Sequence, residues 1–179
     1  MNTRDGPVRD AAALRRAFDR SFADAPASVT PAFTSFLAVR IGDNPYAIEL
    51  SELAGLHRDR TVVPASSPDR EFLGIASVRG AMVPVYDLRA LLGYPSDGIA
   101  PRWLVLSRAP SLVGLAFDLF EAYLRTPSDE VPAPEPGAAR LHVRGVVRAG
   151  DAVRPLIHVA SVLEAIGARA FGNRSPKEP

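Results

Sequence analysis

The stretch GIASVRGAMVPVYDLRALLG, residues 74–93, decides how this 179-residue chain folds. Ile75–Val78 and Met82–Tyr86 read as strands reversing at Arg79-Gly80, where glycine supplies the positive φ that a tight turn demands. Asp87 stands where a side chain can cap a helical turn carrying Leu88, Leu91 and Leu92, and Gly93 with Pro95 stops that turn. The same succession returns at residues 145–167 as GVVRAGDAVRPLIHVASVLEAIG. At a constant offset of 71, Gly74, Ala81, Pro84 and Leu92 meet Gly145, Ala152, Pro155 and Leu163. Ile75/Val146, Met82/Val153, Val85/Leu156, Leu88/Val159 and Leu91/Val162 are apolar exchanges in phase. Two copies are too few for a solenoid. They predict two related small β-barrels or sheets joined in one body, an arrangement that also closes off edge strands.

The flanking sequence continues the β pattern from Phe33. FTSFLAVRI and YAIEL are strands joined by the turn GDNP, and Tyr46, Ile48 and Leu50 alternate with Ala47 and Glu49. SELAGL is short enough for one or two helical turns, with Ser51 as cap. TVVP is a brief strand and ASSPDR a loop. RWLVLS and LVGLAFDLF pair around RAPS, and the Pro-rich RTPSDEVPAPEPGAA is an exposed loop. Ser161 and Glu164 have the spacing of a capping box for the last helix. Ahead of all this, residues 1–32 form an extension: an amphipathic helix over about 10–23, with Leu14, Phe18 and Phe22 on one stripe, then the linker ADAPASVTP. That stripe suits either packing on its own domain or docking in a partner's groove. The body spans 33–170, and 171–179 reads as a disordered tail.

Several classes of function are disfavoured. With 21 basic and 20 acidic residues the net charge is +1, which gives no electrostatic reason to expect nucleic acid or an anionic membrane as partner. There is no cysteine, hence no disulfide or thiolate chemistry. The charged start has no apolar run for a signal peptide, and no window nears a membrane span, so a cytoplasmic location is expected. His57, His142 and His158 fall in three segments without metal-ligand spacing. No phosphate loop, dinucleotide fingerprint or nucleophile elbow occurs. Asp87, Asp118 and Glu121 are single carboxylates at strand ends, where capping explains them. No catalytic residue, metal or cofactor is predicted. Arg79, at the tip or edge of an otherwise apolar hairpin, either ion-pairs within the protein or serves as the foremost contact residue for a partner.

FLAVRIGDNPYAIEL, LGIASVRGAMVPVYDLRALLG, VGLAFDLFEA and RGVVRAGD resemble the successive blocks of CheW-like chemotaxis coupling proteins, in their order and at about their spacings, over roughly residues 33–167. The block RG-x-x-x-P-V-x-D-L-R at 79–89 is its most specific part. The resemblance implies a mainly β fold of two small five-stranded SH3-like barrels packed together, with short helices. It implies a non-enzymatic adaptor linking the cytoplasmic tips of chemoreceptors to the regulatory domain of a CheA-type histidine kinase, recruited to receptor arrays from the cytoplasm. Arg79 and Gly80 match the family's receptor-coupling Arg-Gly, and Leu53 an apolar position of the receptor- and kinase-facing surface. Gly55 stands where an acidic residue is frequent, Ser77 where Asn is usual, and His158 where the last block is normally acidic. The alternative is a scaffold or localisation factor of a non-chemotaxis chemosensory pathway, tethering a partner through the N-terminal helix.

Overall fold

The computed structural model describes residues 32–95, 98–108, 110–128, 131, 141–149 and 152–172. The chain divides into two units, 1–31 and 32–179. The first, with the expected helix and its Leu14, Phe18 and Phe22, lies outside the described residues, as do 173–179.

In the second unit, β1 (Phe33–Ile41) and β2 (Asn44–Glu49) make the first hairpin, and a 3-10 turn (Leu50–Glu52) follows. Next come β3 (Leu53–Arg58), β4 (Val62–Val63), β5 (Phe72–Val78), β6 (Ala81–Asp87) and helix α1 (Leu88–Leu91). The remainder is β7 (Trp103–Ser107), β8 (Gly114–Phe117), β9 (Leu119–Pro127), β10 (Val143–Ala149), β11 (Ala152–Ile157) and helix α2 (Val159–Gly172).

These strands form two sheets, ordered β10-β11-β2-β1-β9 and β3-β7-β8-β6-β5-β4. Apart from the two-residue β4, a sixth strand beyond the expected five, the orders coincide: β9 corresponds to β3, β10-β11 to β5-β6 and β1-β2 to β7-β8. One barrel is continuous in the chain, from β3 to β8. The other is split, because the N-terminal hairpin completes a sheet whose remaining strands come last.

The repeat survives in the ladders. Ile75 pairs with Pro84 and Ala76 with Val83, while Val146 pairs with Pro155 and Val147 with Arg154, each displaced by 71. Both ladders slip just after Phe72 and Val143, beside glycines at φ 138 and 151. Asp87 N donates to Glu71 O at 2.7 Å, and His158 N to His142 O at 2.8 Å.

The apolar runs in FLAV, WLVL and GLAF follow from this packing. Leu37, Val39, Val105, Leu115 and Phe117 point into a core shared by both barrels. Their neighbours Leu104, Leu106 and Ala116 fill the continuous barrel, and Phe36 fills the split one. Strands buried on both faces cannot alternate polar and apolar residues. Side chains also tie the barrels: Asp118 Oδ2 accepts from Gly42 N at 2.5 Å and from Arg89 at 2.8 Å, and Arg169 meets Glu71 at 2.9 Å.

Four local expectations are corrected. Only Ser51 and Glu52 of SELAGL are helical, within the 3-10 turn Leu50–Glu52, because the rest belongs to β3 and pairs with β7, Leu56 opposite Val105. Ser51 does not cap; its hydroxyl donates to Glu49 at 2.5 Å. LVGLAFDLF breaks at Asp118, where the chain crosses to the split barrel, and β9 runs on through Pro127 of the expected loop. Helix α2 starts at Val159, so Ser161 lies inside it and bonds His142 Nδ1 at 2.8 Å. By contrast Asp87 caps α1 as expected, accepting from Arg89 N.

Candidate functional site: the inter-barrel groove and the Arg79 turn

Arg79 (φ 51) and Gly80 (φ 82) form a two-residue turn with both residues left-handed, the geometry that matches the twist of the strands it joins. Arginine is not a natural occupant of that conformation, which costs an L-residue about 1–2 kcal/mol. Both residues are exposed, and a Cβ on Gly80 would meet nothing within 4 Å. Arg79 makes no hydrogen bond or ion pair with the described residues. Its charge is felt at His57, whose imidazole is held below the ordinary range by burial first, then by Arg60 and Arg79.

His57 leads to the groove. A Cβ on Gly55 would lie 3.3 Å from His57 Nε2, so Gly55 leaves the imidazole its room. Gly55 in turn lines a groove of about 300 Å³ where the barrels meet. Leu37 of β1 and Tyr123 of β9 form one wall, Leu53–Leu56 of β3 the other, with Leu50 and Arg108 at the ends. Leu53 is 5% exposed and belongs to the shared core, so it is a wall of the groove more than a free surface residue. Arg108 is fixed by donating from its guanidinium to Leu53 O at 3.2 and 3.3 Å.

The structure therefore brings Leu53 and Gly55 to one groove, whereas Arg79 and Gly80 stand apart from its lining at the β5-β6 turn. Sequence reading missed Tyr123, 65% exposed, and Leu50. Tyr123 stacks edge-on to Phe120 at 5.0 Å, and Phe120 packs on Trp103 at 5.4 Å. This chain of rings presents Tyr123 in a fixed pose at little further entropy cost. No local motif marks it, since the groove is assembled from four separate stretches.

Among the described residues no three His, Cys, Asp or Glu side chains cluster for a metal, and no helix is long and apolar enough to cross a membrane. The groove offers apolar walls and a fixed cation, which suits recognition by burial of another surface.

The sequence signature of the CheW-like domain matches residues 35–167. A probable chemotaxis protein CheW of Rhizobium etli is 28% identical over 102 residues, 56% of this chain and 65% of that protein, so the match spans less than two thirds of the relative's length. The crystal structure of the scaffolding protein TtCheW from Thermoanaerobacter tengcongensis superimposes with a TM-score of 0.63, covering 70% of this chain and 89% of that one at 16% identity. That likeness places the two barrels in the SH3-like pair arrangement. On its sequence signature, this chain belongs to the CheW-like domain family.

Proposed function

We propose that this protein is a non-enzymatic adaptor of a chemosensory array, coupling the cytoplasmic tips of chemoreceptors to the regulatory domain of a CheA-type histidine kinase. The observation that carries the reading is the groove at the barrel junction lined by apolar side chains, together with an exposed arginine that has no partner among the described residues and is held in a strained turn. A helix of a receptor hairpin would lay apolar side chains against Leu50, Leu53 and Tyr123, and Arg79 would take an acceptor at its edge. Each contact need supply only micromolar affinity, about −8 kcal/mol, because an array multiplies weak contacts through effective concentration. Signal would then pass as a bias on kinase states that depends on how the bound partners sit. Such an adaptor works in the cytoplasm and is recruited to the array.

The test is capture of receptor fragment and kinase by the full chain. Tyr123→Ala and Arg79→Ala alter exposed side chains, so folding should persist while receptor capture falls at least about tenfold, the scale of an interface hot spot. Undiminished receptor capture by both variants would defeat the reading.

A further inference from the structure

The pairing of strands gives the positions of the continuous barrel outside β4 counterparts in the split one, and several interior positions are smaller in the continuous barrel, although Leu106 corresponds to the smaller Ala38. Through the ladders, Leu104 corresponds to Phe36, Gly114 to Ala47, Ala76 to Val147 and Val85 to Leu156. At all four the continuous barrel holds the smaller side chain. A cleft of about 390 Å³ opens at its mouth, and Val62, Leu73, Leu104 and Ala116, which belong to or pack on its own core, form the walls. In the split barrel the counterparts of Leu73 and Ala116 are Arg144 and Glu49, an ion pair whose side chains are 15% and 22% exposed. What one barrel fills with its own side chains, the other leaves open.

The opening is charged. Arg60 lines it, is exposed, and has no hydrogen bond or ion pair with described residues. Arg102 bonds both oxygens of Asp59 at 3.0 and 3.2 Å, and Arg58 shares that one carboxylate at 3.2 Å while lying over Trp103. One acid thus serves two arginines, and Arg60 adds a third positive charge. Asp87, half-buried in the wall, is engaged by α1, so it disfavours an anion beside it and offers the interior to apolar atoms.

We propose that the mouth of the continuous barrel binds a small amphipathic anion, its apolar body against Leu73, Leu104 and Ala116 and its anionic group at Arg60. The volume falls in the range of small-molecule sites, about 300–1,000 Å³.

Titration of the full chain with anilinonaphthalene sulfonate, an apolar anion, tests this. One saturable site is expected, with a dissociation constant of about 10–100 µM, from which octanoate displaces the probe better than octanol. Leu104→Phe restores the split barrel's side chain and should weaken binding at least about tenfold; Ala116→Leu, which narrows the same wall, serves should the first variant lose cooperative unfolding. Arg60→Ala should weaken octanoate and leave octanol unchanged. Absence of saturation below about 1 mM would assign the cleft to a partner's side chain and overturn the proposal. So would undiminished binding in a folded filling variant, or equal loss of octanoate and octanol in Arg60→Ala.

Discussion

The two barrels share a ladder and differ in what they enclose. Where the continuous barrel buries Val83 completely, the split barrel has Arg154, 15% exposed at its side chain and 2.7 Å from Glu121. Glu121 is also bound by Arg40 at 2.7 and 2.9 Å. Burial pushes the Glu121 carboxyl up, but hydrogen bonds from Arg40 and the adjacent Arg154 guanidinium outweigh it and hold the group below the usual range. One register thus tolerates an apolar or an ionic interior, provided the charge has its counter-charge. The backbone ladder sets the fold, and the interior is the adjustable part.

The largest break in this symmetry should come from exchanging the two residues. Val83→Arg places a guanidinium in an apolar interior whose one wall carboxylate, Asp87, is already engaged as the cap of α1, a cost of about 3–5 kcal/mol. Arg154→Val leaves Glu121 its Arg40 partner and should cost about 1 kcal/mol. Urea midpoints of the two variants measure the asymmetry, and equal small losses would mean that the continuous barrel accommodates charge.

The next effect tests what β4 adds to one barrel alone. Gly74 is at φ +138, and a Cβ there would lie 2.1 Å from Val63 O and 2.9 Å from Pro64 Cα. Gly74→Ala combines a conformation closed to L-residues with a backbone collision, so a loss of about 3 kcal/mol is expected, with β4 displaced. Hydrogen exchange at Val62 and Val63 reads that displacement, and an unaltered exchange pattern would contradict the close approach.

How much of this was legible in sequence depends on what each residue's neighbours are. The hairpins at 74–93 and 145–167 showed themselves because glycine, proline and apolar phase recur within one local span. The match of β3 to β9 did not: Leu53, Gly55, Leu56 and His57 correspond to Phe120, Ala122, Tyr123 and Leu124, sharing register without identity. The split barrel's dependence on the N-terminal hairpin was hidden too, since the parallel pairing of Ile48 with Ile157 joins residues over a hundred apart. Helical readings of SELAGL and of the Ser161 cap failed where tertiary pairing overrode local propensity. Arg79 was legible because a turn is local; the groove containing Tyr123 was not.

A smaller effect distinguishes the barrels by pH. His57 of the continuous barrel is depressed by burial, Arg60 and Arg79; His142 of the split barrel by burial, Arg169 and His158. Each takes up its proton at a lower pH in the folded chain than in the unfolded one, where histidine protonates near about pH 6.5. The unfolded state then binds more protons, so this stability is complete above that pH and declines as pH falls below it. Glu52 and Asp87, raised chiefly by burial, act in the opposite sense in more acid solution, gaining stability as they protonate. Urea midpoints should hold between about pH 7 and 8 and fall toward about pH 5, with His57→Gln and His142→Gln each flattening the slope. An unchanged slope in both would remove the histidines as its cause.

The smallest change is at the Arg79-Gly80 turn, whose arginine aligns in sequence with Gly150 by the same offset of 71. A left-handed arginine is disfavoured, and asparagine followed by glycine is the preferred pair for a two-residue turn of this type. Arg79→Asn should therefore raise stability by about 0.5–1 kcal/mol, the strain released without the entropy that glycine adds to the unfolded chain. The same variant should capture less receptor. Gain of stability with loss of binding is the signature of a side chain held in strain for an external contact. A variant less stable than the parent would mean that Arg79 supports its own barrel, and the adaptor reading would then rest on the groove alone.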